Sequence, residues 1–81
     1  LVTYSIAQGE AIPGSTIIYE GFDTEGVILS GIEGYPYRKT GDSIAWEGTL
    51  RSDVEIALNV RVVYYNENKL YVSGTVNLWL E

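Results

Sequence analysis

The chain has 81 residues, eleven Asp and Glu against five Lys and Arg, a formal net charge of −6, and no His, Cys or Met. These counts exclude disulfides, thiolate metal sites, cysteine nucleophiles and every His-dependent triad or zinc centre, leaving carboxylates as the one metal-binding chemistry open to the chain. The negative charge opposes nucleic acid and anionic membrane surfaces, and no apolar run approaches the ~18 residues of a membrane span. We therefore expect no nucleic acid, no membrane insertion, no cofactor and no metal.

The expected organisation is one all-β domain over residues 1–81. The start at Leu1 rather than Met, with the terminal pair Leu80-Glu81, reads as a piece excised from a longer protein. In chain order, Val2, Tyr4 and Ile6 alternate and predict a short strand. Gln8 to Gly14 is a connector, with Pro13-Gly14 as its turn. Thr16 to Asp23 and Val27 to Ile32 read as a hairpin around Thr24-Glu25-Gly26, which sets Phe22 opposite Ile28 and Ile18 opposite Ile32. Both faces of that hairpin carry apolar residues, so its buried face is left open.

The second half alternates more cleanly. Ser43 to Leu50 places Ile44, Trp46, Gly48 and Leu50 on one face. Val54 to Tyr65 does the same with Val54, Ile56, Leu58, Val60, Val62 and Tyr64, and Leu70 to Leu80 with Leu70, Val72, Gly74, Val76, Leu78 and Leu80. Apolar faces coincide across an antiparallel pair here only if paired residue numbers sum to an even number. An odd loop satisfies this, so the expected loops are Arg51-Ser52-Asp53 and Asn66-Glu67-Asn68, each with a left-handed third residue. Trp46 then faces Leu58, Gly48 faces Ile56, Val54 faces Leu80, Leu58 faces Val76, Val62 faces Val72 and Tyr64 faces Leu70. Strands of this length would overrun a compact domain unless they coil or protrude. The expected fold is thus a single small antiparallel sheet of five to six strands with a C-terminal three-stranded meander. It curls strongly into a partly open barrel or roll, with dimerisation through an unpaired edge as the alternative.

Two groups of residues are candidates for partner binding. Tyr35, Tyr37, Arg38 and Lys39 lie in one segment, and Tyr and Arg suit contact surfaces because each offers a large area with a polar end. Its other reading is a connector whose rings cover the end of the sheet. Val63, Tyr65, Tyr71 and Trp79 fall on the second face of the long hairpin, with Val63 expected opposite Tyr71 and Trp79 opposite Glu55; the other reading is that the N-terminal hairpin packs over them as the second layer a sheet needs. Glu20 and Glu47, each in an aromatic-Glu-Gly stretch, could form the acid pair of a glycosidase but read as solvent-facing carboxylates. Asp23 and Glu25 lack the spacing of a calcium loop, and no phosphate-binding glycine motif is present. The favoured function is a noncatalytic protein-interaction or structural domain that binds a protein partner or self-associates. The alternative is a small-ligand barrel with a pocket of Trp46, Leu58, Tyr64 and Val76, and behind it a carboxylate-dependent hydrolase.

Overall fold

The alternating stretches become strands in the computed structural model, which describes residues 1–80. Its strands are β1 (Val2–Ala7), β2 (Ile18–Asp23), β3 (Gly26–Ser30), β4 (Tyr37–Arg38), β5 (Ser43–Arg51), β6 (Val54–Tyr65) and β7 (Lys69–Leu80), with no helix among the described residues. Sheet A has the order β1-β7-β6-β5 and sheet B the order β2-β3-β4, and every pairing is antiparallel. The C-terminal meander forms, and β1 closes the near part of its β7 edge.

The single curled sheet of five to six strands does not form. Among the described residues seven strands divide into two sheets, and neither closes on itself. The apolar face of sheet A is covered by a second layer instead of by its own curvature. Tyr19, Val27 and Leu29 of sheet B join Ile6, Ile44, Leu58, Val60, Val62, Leu70 and Val72 of sheet A in one buried cluster. This settles which face of the N-terminal hairpin is inside. The molecule measures 41 × 22 × 20 Å, and a 12-residue strand at ~3.3 Å per residue is about 40 Å long. Strands β6 and β7 therefore run the full length of the molecule.

Register in the long hairpin is as expected over most of its length: Val54 pairs with Leu80, Leu58 with Val76 and Val62 with Val72, while Trp46 pairs with Leu58 and Gly48 with Ile56. The loops differ. Each hairpin combines an even-numbered connection with a bulge in its first strand: two residues in β2–β3 and β5–β6, and four between the paired Tyr65 and Leu70 in β6–β7. In β5–β6, Arg51 pairs with Val54 and the ladder shifts between Thr49 and Arg51; in β6–β7, Tyr65 pairs with Leu70 and it shifts between Val62 and Tyr64. In β2–β3, Asp23 pairs with Gly26 and it shifts between Tyr19 and Gly21. The extra residue that parity demands is thus stored in the strand rather than the loop. As a result Tyr64 pairs with Tyr71 and not Leu70, Phe22 with Val27 and not Ile28, and Ile18 with Ser30 and not Ile32. No non-glycine residue is left-handed at Asp53 or Asn68. The Asn66 carboxamide oxygen holds the last turn instead, accepting from the Asn68 and Lys69 N–H groups at 2.9 and 2.8 Å.

The layers are tied at the end near that turn. The Tyr19 hydroxyl donates to the Asn66 carbonyl at 2.7 Å, linking sheet B to the β6–β7 turn. The connector joins the same knot: Gly9 N–H donates to Tyr19 O, Tyr19 N–H to Glu10 O and Gln8 N–H to Asn68 O. Ser15 N–H donates to Ile12 O around Pro13 and Gly14, whose φ of +82° fits the third position of a type II turn. Thr16 then meets Gly31, where a Cβ would collide with the Thr16 carbonyl.

Two expectations follow. Leu58 is 2% exposed and Asn59 is exposed, so Leu58→Asp unfolds the domain by burying an unpaired carboxylate, whereas Asn59→Asp leaves thermal melting nearly unchanged. Burial pushes the Tyr19 phenol above its usual value of 10.0, and the neighbouring Tyr65 adds to the shift. A raised folded-state value means that the stabilisation is complete below pH ~10 and is lost as pH rises through the folded value. Tyr19→Phe should cost about 1 kcal/mol at neutral pH and flatten the alkaline limb of a denaturant-midpoint-against-pH curve.

Candidate interaction surfaces

The segment after β3 folds back to complete sheet B. Leu29 N–H donates to Pro36 O at 2.8 Å, and Tyr37 and Arg38 pair with Ile28 and Val27. Arg38 spends its guanidinium on its own surroundings, donating to the carbonyls of Tyr35, Tyr37 and Ser43. Tyr35 and Tyr37 pack with ring centroids 5.4 Å apart. Tyr35 and Lys39 are exposed, while Tyr37 and Arg38 are half-buried. Tyr35, Tyr37 and Arg38 are brought together, with Lys39 next in the chain, and Tyr37 and Arg38 build the third strand of the sheet.

The second group is not brought together. The bulge after Val62 turns Tyr65 inward against Phe22, with centroids 5.2 Å apart, and puts Tyr64 beside Tyr71 at 5.8 Å. Val63 stays exposed in the bulge. Trp79 does pair with Glu55, which lies about 26 Å along β6 from Val63 at ~3.3 Å per residue. The proposed pocket of Trp46, Leu58, Tyr64 and Val76 has no common interior, since Leu58 is in the core and Tyr64 is 57% exposed on the opposite face. Glu20 accepts a hydrogen bond from Ser30 and borders a different depression from the one lined by Glu47. The Asp23 carboxylate closes its own turn through the Glu25 N–H at 2.8 Å. No group of three or more acidic side chains among the described residues could hold a metal ion.

Two features escaped the sequence. The first is the far end of sheet A. The connector reaches the Ile56 and Leu50 side chains, against which Gly14 packs. Leu50 is still 40% exposed, Leu78 58%, Trp79 44% and Leu80 74%. The second is an open groove of ≈ 670 Å³ beside β5, lined by Ile32, Glu33, Arg38, Ala45, Trp46 and Glu47 among others. The six-membered ring of Trp46 lies over Gly48, where a Cβ would collide with it. A glycine two places along the same strand face was the available sign of this seat.

Backbone direction shows which strand edges are free. Val62 N–H donates to Asp42 O at 3.0 Å and Val62 O accepts from Gly41 at 2.8 Å. Backbone polar groups alternate in direction along a strand, so Ile56, Leu58, Val60 and Val62 address β5. In β7, Leu70, Val72 and Gly74 then address β1, in agreement with their pairing to Ile6, Tyr4 and Val2. The outward backbone groups of Val76, Leu78 and Leu80 point past the end of β1, and on that side no strand pairs with them among the described residues. In β5, Ser43, Ala45 and Glu47 point outward, and the Ser43 carbonyl does accept from Arg38 Nε at 3.1 Å.

Gly48→Ala should displace the Trp46 ring. We expect a loss of about 1–3 kcal/mol in unfolding free energy, as for other overpacked sites, and a red-shifted Trp46 emission in a Trp79→Phe background. Comparison with protein families, with curated proteins and with solved structures finds no match to this chain, so its surfaces alone carry the functional reading.

Proposed function

We propose that the chain is a noncatalytic interaction domain that associates with a second copy of itself through the far edge of β7. The observation that carries this reading is the unpaired backbone of Val76, Leu78 and Leu80 beside exposed Leu50, Leu78 and Leu80. Edge strands are usually guarded by charge or proline. Ser73 to Leu80 holds neither, although the chain carries a net charge of −6. Self-pairing about a two-fold axis at Leu78 sets Leu78 against its copy and Val76 against Leu80. That sum is even, so the apolar faces of both copies stay on the same side of one continuous eight-stranded sheet. A short edge with a small apolar end buries little, which places the affinity in the weak, concentration-dependent range.

Sedimentation equilibrium tests this. The wild type should approach twice the mass of one chain as concentration rises, and Leu78→Lys should remain a single chain with an unchanged melting temperature. A wild type that stays monomeric at millimolar concentration, or a Leu78→Lys variant that dimerises equally well, removes the proposal.

A further inference from the structure

Strand β5 is the opposite edge of sheet A, and the groove runs alongside it. Arg38 occupies the first outward carbonyl, that of Ser43. The next outward groups belong to Ala45 and Glu47, and both residues line the groove. Their N–H and C=O groups match an added strand in spacing and direction. The groove supplies side-chain contacts on both faces of such a strand. Trp46 lies on the inner face with the half-buried Ile32 nearby, and Glu47 lies on the outer face, with Glu33 also at the groove. The Arg38 guanidinium keeps its charge but is turned onto three backbone carbonyls, so two exposed carboxylates, Glu33 and Glu47, outweigh one half-buried cation at the groove, in a chain of net charge −6.

We propose that the free edge of β5 binds an extended peptide segment of a partner protein as a fifth strand of sheet A, with alternating apolar and basic side chains. Backbone hydrogen bonds to Ala45 and Glu47 hold the segment, and the alternation sets its side-chain preference. Apolar residues lie toward Trp46 and Ile32. Basic residues lie toward Glu33 and Glu47, and the negative chain speeds their arrival. This edge is distinct from that of β7, so peptide binding and self-association are read on different residues.

The test is an amide and indole chemical-shift titration of the full chain with acetyl-Lys-Val-Lys-Val-Lys-amide. Saturable shifts should appear at the Ala45 and Glu47 amides and the Trp46 indole N–H. Methylating alternate backbone nitrogens of the peptide should weaken binding at least about tenfold, as should replacing its lysines with Glu. Ala45→Pro should fold, because its N–H is not used by β6 and proline is tolerated on an edge strand, and should weaken binding to a similar degree. The methylated peptide probes the same bonds in the unaltered protein. Absence of saturable shifts at millimolar peptide overturns the proposal. So does an affinity indifferent to methylation, or a response confined to Val76, Leu78 and Leu80.

Discussion

The structure depends on a mismatch of length. Strands β6 and β7 are 12 residues each, whereas β2 and β3 above them are six and five. A short second layer can bury half of a long apolar face, and it does so at the end where Tyr19 anchors it to Asn66. The opposite half keeps its alternation with nothing laid over Leu78 and Leu80. The same geometry leaves two backbone edges open, because β1 stops opposite Gly74 and β5 is the last strand on its side. The core and the uncovered far end of sheet A are thus two consequences of one difference in strand length.

Sequence periodicity carried much of this. The pairing of Val54 through Val62 with Leu80 through Val72 follows from facing alone, because a slip of one residue would turn Leu58 outward. Parity is also kept in the structure, but by a different device. A loop and a bulge each supply one extra residue, and nothing in the count distinguishes them. The chain chose bulges at Glu20, Leu50 and Val63. That choice moved Tyr65 into the interior and Tyr64 out, which no reading of alternation could anticipate.

The division into two sheets was equally hidden. Both faces of the N-terminal hairpin are apolar, and a curling single sheet and a two-layer packing bury similar side chains. What joins the two layers is contact between them, including the Tyr19 hydroxyl on the Asn66 carbonyl and Val27 and Leu29 in the shared core. For the sites, sequence located the Tyr35–Lys39 segment as a unit but gave no sign that Arg38 would be consumed by backbone carbonyls. It placed Trp79 on the second face of the long hairpin opposite Glu55, and left open whether that face would be covered. It could not show the free edge of β5, because an edge is a property of what fails to pair.

The most direct test of this two-layer account is a map of methyl and aromatic nuclear Overhauser contacts between the sheets in solution. The account predicts contacts from Tyr19, Val27 and Leu29 to the group formed by Leu58, Val60, Val62, Leu70 and Val72, and none from β2 or β3 to Leu78 or Leu80 within one chain. Intramolecular contacts from Val27 or Leu29 to Leu78 or Leu80 would mean that the sheet closes over its own far end, and would contradict it.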